Sequence, residues 1–224
     1  MKALADQSGE ELSVLVDRLR RDRRRDPYSG RREYSQAARE LADHCRALIL
    51  SGKASVAVPT LRKAVDRMTT ALMYMDSSSG ELGNDLWYLM DLYAEACRYA
   101  PPRPTALASW LGKVACDGPG WPEVKLRDWA PALGPKGLAE IARLLDARPE
   151  AGESNHWAIR DLRVQLAEVA GDVDRQVEIL AEYLPSAAAY VPIVKALATA
   201  NRPADALDWA RRGLATDTPG YYPA

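Results

Sequence analysis

A chain of 224 residues, 47% of them apolar, has room for one large domain or two small ones. At this size folding buries roughly 70% of the unfolded surface, so a core forms without disulfide or metal staples. The 30 Lys and Arg residues against 31 Asp and Glu leave a formal net charge of −1, which excludes a protein whose whole surface binds nucleic acid or anionic membrane.

The first expected helix runs over residues 9–24, with Leu12, Leu15, Val16 and Leu19 as a narrow apolar stripe. It dissolves into RRDRRRDPYSGRR, where Asp26-Pro27 and Ser29-Gly30 are turn chemistry. A helix of this length is marginal alone in water, so residues 1–30 are expected to be a helix and Arg-rich linker, loosely attached to the body. The second helix covers 32–50, with Ala38, Leu41, Ala42, Cys45, Leu48 and Ile49 on one face and Gly52 to close it. The third begins near Ser55 and carries Leu61, Ala64, Val65, Met68, Leu72 and Met75; Pro59 is tolerable near its first turn.

DSSSGELGND then makes a turn. The next helix holds Leu82, Leu86, Leu89, Met90, Tyr93 and Cys97, the clearest helical period in the chain. PPRP at 101–104 breaks it before a shorter helix with Leu107, Trp110, Leu111 and Val114. The stretch DGPGWPEVKLRDWAPALGPKG reads as irregular with one short turn near Trp129, and helix returns with Leu138, Ile141, Leu144 and Leu145. PEAGESN at 149–155 reads as a linker. Four helices follow, over 156–170, 173–184, 188–200 and 203–215, broken at Gly171-Asp172, Pro185-Ser186 and Asn201-Arg202-Pro203. No segment alternates as a strand does. The expected fold is all-α: nine to eleven helices as an array of antiparallel helical hairpins, in two packed lobes. The divisions are an N-terminal segment 1–30, a helical lobe 31–148 and helical hairpins 149–224.

The last four helices form two hairpins offset by about 30 residues. In DALDWARRGL, small residues at Ala206, Ala210 and Gly213 allow a close helix approach. This resembles the second helix of a tetratricopeptide repeat, with Val194, Thr218 and Gln176 departing from that pattern. A second resemblance covers residues 38–215. LADHCRALILSGKASVAVPTLRKAVDRMTTAL, LYAEACRYA, GWPEVKLRDWAPALGPKGLAEIARLL and ADALDWARRGLA resemble the C-terminal helical region of bacterial SWIM zinc-finger proteins. The resemblance implies a bacterial protein acting alongside a DNA- or protein-binding finger; with no signal peptide and no run of about 18 apolar residues in the sequence, a cytoplasmic location is expected. The finger's CxC and CxH pairs are missing, so the chain is expected to be either that helical region of a longer protein or a finger-less relative.

Site candidates are few. Cys45, Cys97 and Cys116 are widely spaced and read as small buried hydrophobes. His44 adjoins Cys45, but adjacent helical residues point about 100° apart and cannot act as nucleophile and base. His156 stands at a helix start. Reading Asp76 as the first ligand of a calcium loop puts Gly80 at position five and Trp87 at twelve, where Glu is needed. No phosphate-cradling glycine motif is present. We therefore expect no catalytic, cofactor-binding or metal residues, no membrane span and no enzyme. The one charge feature is an Arg cluster. Arg18 and the run of Arg20, Arg21, Arg23, Arg24, Arg25, Arg31 and Arg32 read as a solvated helix end, with phosphate or acidic-partner contact as the rival. The leading functional expectation is a protein-interaction or scaffolding module with another protein as partner. A nucleic-acid-associated module and an enzyme of unrecognised type are the alternatives.

Overall fold

A computed structural model describes residues 11–20, 31–74, 80–119, 121–148, 156–182, 184–185 and 187–216. Among these the chain is all-helical, with ten helices and no strand. They are α1 (11–18), α2 (Arg31–Leu50), α3 (Ala54–Leu72), α4 (Glu81–Tyr99), α5 (Pro104–Asp117), α6 (Leu126–Asp146), α7 (His156–Ala170), α8 (Val173–Ala181), α9 (Ala187–Thr199) and α10 (Pro203–Leu214). Two compact units divide at 141/142, inside α6, upstream of the 149–155 break that the sequence suggested.

In the first unit α2, α3 and α4 pack against one another. Helix α4 takes the centre because its apolar residues leave little polar face: Leu82, Leu86, Leu89, Met90, Leu92, Tyr93, Ala96 and Cys97 are all buried. Three rings extend this core outward. Tyr93 of α4, Trp110 of α5 and Trp129 of α6 meet edge-to-face, with centroids 5.1, 5.2 and 5.9 Å apart. The indole Nε1 of Trp110 donates to Asp66 Oδ1 of α3 at 2.7 Å, and Arg62 lies over the same ring at 5.5 Å. One aromatic cluster thus fastens four helices.

Two expectations change in this unit. Residues 126–133 are helical rather than irregular. Leu126, Trp129 and Leu133 form a buried i, i+3, i+7 stripe. The break comes only at Gly134 (φ 53°, ψ −174°), the residue before Pro135 that proline excludes from the α region. Pro135 then opens the second stretch as a first helical residue should. The other change is at α1. It ends at residue 18, where Leu19 and Arg20 donate back to the Val16 and Asp17 carbonyls in i+3 bonds. Its stripe is docked: Leu12, Val16 and Leu19 are buried. Met75, the expected end of the α3 stripe, lies outside the described residues.

The second unit begins at Ala142. In it α7 packs on α8, α8 on α9 and α9 on α10, around Leu180, Ile193, Leu197 and Ala206. Both of its hairpins turn by the same device. After α7, Gly171 (φ 70°) donates to the Glu168 carbonyl and Asp172 to that of Ala167. After α9, Asn201 (φ 57°) donates to Ala198 and Arg202 to Leu197. This is the paired Schellman closure, with a left-handed residue that Gly supplies freely and Asn tolerates. The next helix starts two residues later each time. Gly52, with Lys53, makes the same closure between α2 and α3. Arg202 adds a clamp across the second unit, donating to Asp174 Oδ1 of α8 (2.6 Å) and Asp205 Oδ2 of α10 (2.7 Å).

The close approach expected at Gly213 is present. A Cβ added there would sit 3.0 Å from both Cβ and Cγ of Tyr190 on α9. A methyl group forces a shift of tenths of an ångström, offset by the roughly 1 kcal/mol helix preference of Ala over Gly. A longer side chain has no such compensation. Gly213→Leu should destabilise the second unit by about 1–3 kcal/mol in urea unfolding, and Gly213→Ala by much less. Equal effects would mean that α9 and α10 are not in this contact.

Candidate interaction surfaces

The Arg cluster divides. Arg21, Arg23, Arg24 and Arg25 lie outside the described residues. Arg31 is the first residue of α2, and its side chain is also outside them; Arg20 and Arg32 are exposed. Arg18 is engaged within the fold, donating through Nη1 to Glu40 Oε2 of α2.

That bond belongs to a polar frame around α1. Arg67 of α3, its side chain only 16% exposed, donates to the Val16 carbonyl at 2.6 Å and pairs with Asp17 Oδ1 at 2.6 Å. Tyr34 of α2, buried, donates to the Leu19 carbonyl at 3.0 Å. Lys63 lies 3.9 Å from Asp17. The final carbonyls of a helix lack internal donors, and a cation there meets the negative end of the helix dipole. Tyr34 supplies such a donor to the Leu19 carbonyl, and Arg67 adds a second donor to the Val16 carbonyl, which already accepts from the Leu19 amide.

The frame titrates. The hydrogen bond from Arg67 holds the Asp17 carboxyl below its ordinary 3.8, and those from Arg18 and then Gln36 hold Glu40 below its ordinary 4.5. A depressed folded pKa contributes stability above the unfolded value and loses it as pH falls through the folded one. Docking of α1 should therefore be constant from neutral pH to about 5 and weaken below the ordinary carboxylate range. The Val16 amide shift, followed by NMR from pH 6 to pH 3, reports this. A flat profile would remove both carboxylates from the docking.

A second polar group crosses α2 and α4. The buried Ser35 hydroxyl donates to Asp85, itself buried, and Arg39 Nε donates to the other Asp85 oxygen at 2.9 Å. Arg39 also reaches Glu81 at 3.3 Å. Its guanidinium pKa is raised, chiefly by the Asp85 hydrogen bond. Sequence reading missed this set because Asp85 interrupts an apolar stripe; its only signal was its place one turn before Leu89.

The cysteines behave as buried apolar groups. Desolvation pushes the Cys45 and Cys97 thiols up to about 12. His44 is exposed, its Nδ1 donating to the Glu40 carbonyl at 2.8 Å, while the adjacent Cys45 is buried. His156 opens α7, exposed. Asp76 and Ser77 to Ser79 lie outside the described residues, and α4 starts from Gly80 at φ 72°. No group of three or more His, Cys, Asp or Glu among the described residues could hold a metal ion, and no described helix is long and apolar enough to cross a membrane.

Among the described residues of the second unit, the large apolar side chains left exposed are Trp157 on α7 (63%), Val191 on α9 (66%) and Leu207 and Leu214 on α10 (52% and 88%). Ala206 of α10 faces the core and Gly213 meets Tyr190, so the face carrying Leu207, Arg211 and Leu214 at i, i+4 and i+7 is turned away from α9. Trp110 and Trp129 are core residues, Trp121 and Trp209 are half-buried, and Arg212 covers the Trp209 ring at 3.8 Å. No family model, curated protein or solved structure matches the chain.

Proposed function

We propose that this chain is a non-catalytic protein-interaction or scaffolding module, and that the outer face of α10 is where it meets another protein. The observation that carries this reading is the pair Leu207 and Leu214, two turns apart on one helix face and more than half exposed. A leucine exposed alone is ordinary; two on one stripe beside Arg211 have the spacing by which helices anchor in partners. A hairpin array supports the reading by architecture, since stacked hairpins present long continuous faces. The resemblance to the region that accompanies SWIM zinc fingers adds a setting, a bacterial cytoplasmic assembly with a DNA- or protein-binding finger. Reading the coding sequence on both sides of this segment for CxC and CxH pairs tests the setting.

The surface is tested by placing a photo-crosslinking residue at position 207 or 214 in cells. We expect one recurring partner, lost on Leu207→Asp with Leu214→Asp and kept on Leu50→Asp, an exposed apolar site in the first unit. Capture that survives the double substitution would refute this surface. The exposed Arg20 and Arg32 favour a second reading, phosphate contact with nucleic acid. Duplex titration at two salt concentrations, with and without residues 1–30, decides it. Phosphate contact requires an affinity that falls steeply with salt and disappears on truncation. With Arg18 committed to Glu40, we expect neither.

A further inference from the structure

We propose that α2 and α3 form a groove that reads the C-terminal end of a short acidic amphipathic helix, that α1 fills it in cis, and that a partner helix of the same chemistry takes it in trans. This site lies in the first unit and involves none of the residues of the α10 surface.

The argument starts from what α1 is. Two turns of helix cannot persist alone, so α1 is helical only while docked. What docks it is a complete recognition set. Leu12, Val16 and Leu19, at i, i+4 and i+7, supply the apolar contact. Tyr34 takes the Leu19 carbonyl, which a helix ending at this point leaves open, and Arg67 adds a second donor to the Val16 carbonyl beside the Leu19 amide. Arg67 and Lys63 face the Asp17 carboxylate, and Glu40 faces Arg18. The groove therefore selects three features: an apolar i, i+4, i+7 stripe, a carboxylate one residue after its middle member, and a helix end at the third. Nothing in that set depends on the covalent link to α2, which runs through eleven residues, 20–30. Cis occupancy is intramolecular and so favoured over a free helix of the same chemistry, which gains access once the cis helix is disabled.

The test uses the full chain with Leu12→Asp and Val16→Asp, which disables the cis helix, and a fluorescent peptide of residues 10–20. Saturable binding is expected, at least about tenfold tighter than to the unaltered chain, whose groove is occupied. A Val16→Asp peptide should not bind, and Arg67→Ala in the disabled chain should weaken the parent peptide. Equal affinity for disabled and unaltered chains would place the peptide elsewhere and overturn the proposal. So would a disabled chain that keeps its helical circular dichroism and binds nothing. Should that chain fail to fold, amide exchange on the unaltered protein decides: α1 amides must exchange faster than those of α4. Exchange of both at one rate means that α1 opens only with the whole unit, and the proposal falls. A concentration-dependent dimer of the intact chain, abolished by the same two substitutions, would give the groove to a second copy and overturn its assignment to a partner.

Discussion

Replacing Trp129 by alanine should destabilise the first unit by about 3–5 kcal/mol, the usual cost of truncating a buried Trp. The ring is 2% exposed and meets Tyr93 and Trp110 edge-to-face at 5.2 and 5.9 Å. Its loss removes burial and ring contacts together, and leaves α6 without its anchor on α4 and α5. Urea unfolding followed by circular dichroism should show a lower midpoint for the first-unit transition. Trp129→Phe keeps an aromatic and should recover part of the loss. A change below about 1 kcal/mol would mean that the site collapses around the cavity and that α6 is held by something else.

Leu89→Ala is the second large effect, at about 2–5 kcal/mol. Leu89 is fully buried at the middle of α4, the helix that packs on both α2 and α3. A cavity there has three helices around it, and close packing leaves little freedom to refill it. The control is Leu50→Ala, on a side chain 78% exposed at the end of α2, which should stay within about 0.5 kcal/mol of the parent. Similar values for the two variants would show that the face of α4 is wrong.

The helices on which these predictions rest were legible because their apolar residues recur at 3.6. Ala38, Leu41, Ala42, Cys45 and Ile49 of α2 are buried as the pattern requires, and so is the whole stripe of α4. The hairpin breaks at Gly52, Gly171 and Asn201 were legible because residues that tolerate positive φ stand there. Helix α6 was misread because two prolines weighed more than the Leu126, Trp129, Leu133 stripe. Pro131 is exposed, and Pro135 follows a break that Gly134 already makes. Pro59 teaches the same point, sitting exposed six residues into α3. A proline whose missing hydrogen bond faces solvent leaves a carbonyl that water can satisfy, so its cost is lower than composition suggests. The polar sets were not legible at all. Asp17 with Arg67 and Ser35 with Asp85 are separated by about 50 residues, and no local pattern announces such partners.

That separation also orders events during synthesis. The donor that receives the Val16 carbonyl is Arg67, 51 residues further along the chain. At a translation rate of about 5–20 residues per second, α1 is made roughly 3–10 seconds before the second wall of its binding site exists. For much of that interval Leu12, Val16 and Leu19 have only the α2 side of their site to meet. The nascent segment is then an unpaired apolar stripe followed at once by a run of arginines. Relocating the sequence of α1 downstream of α3 would remove the wait.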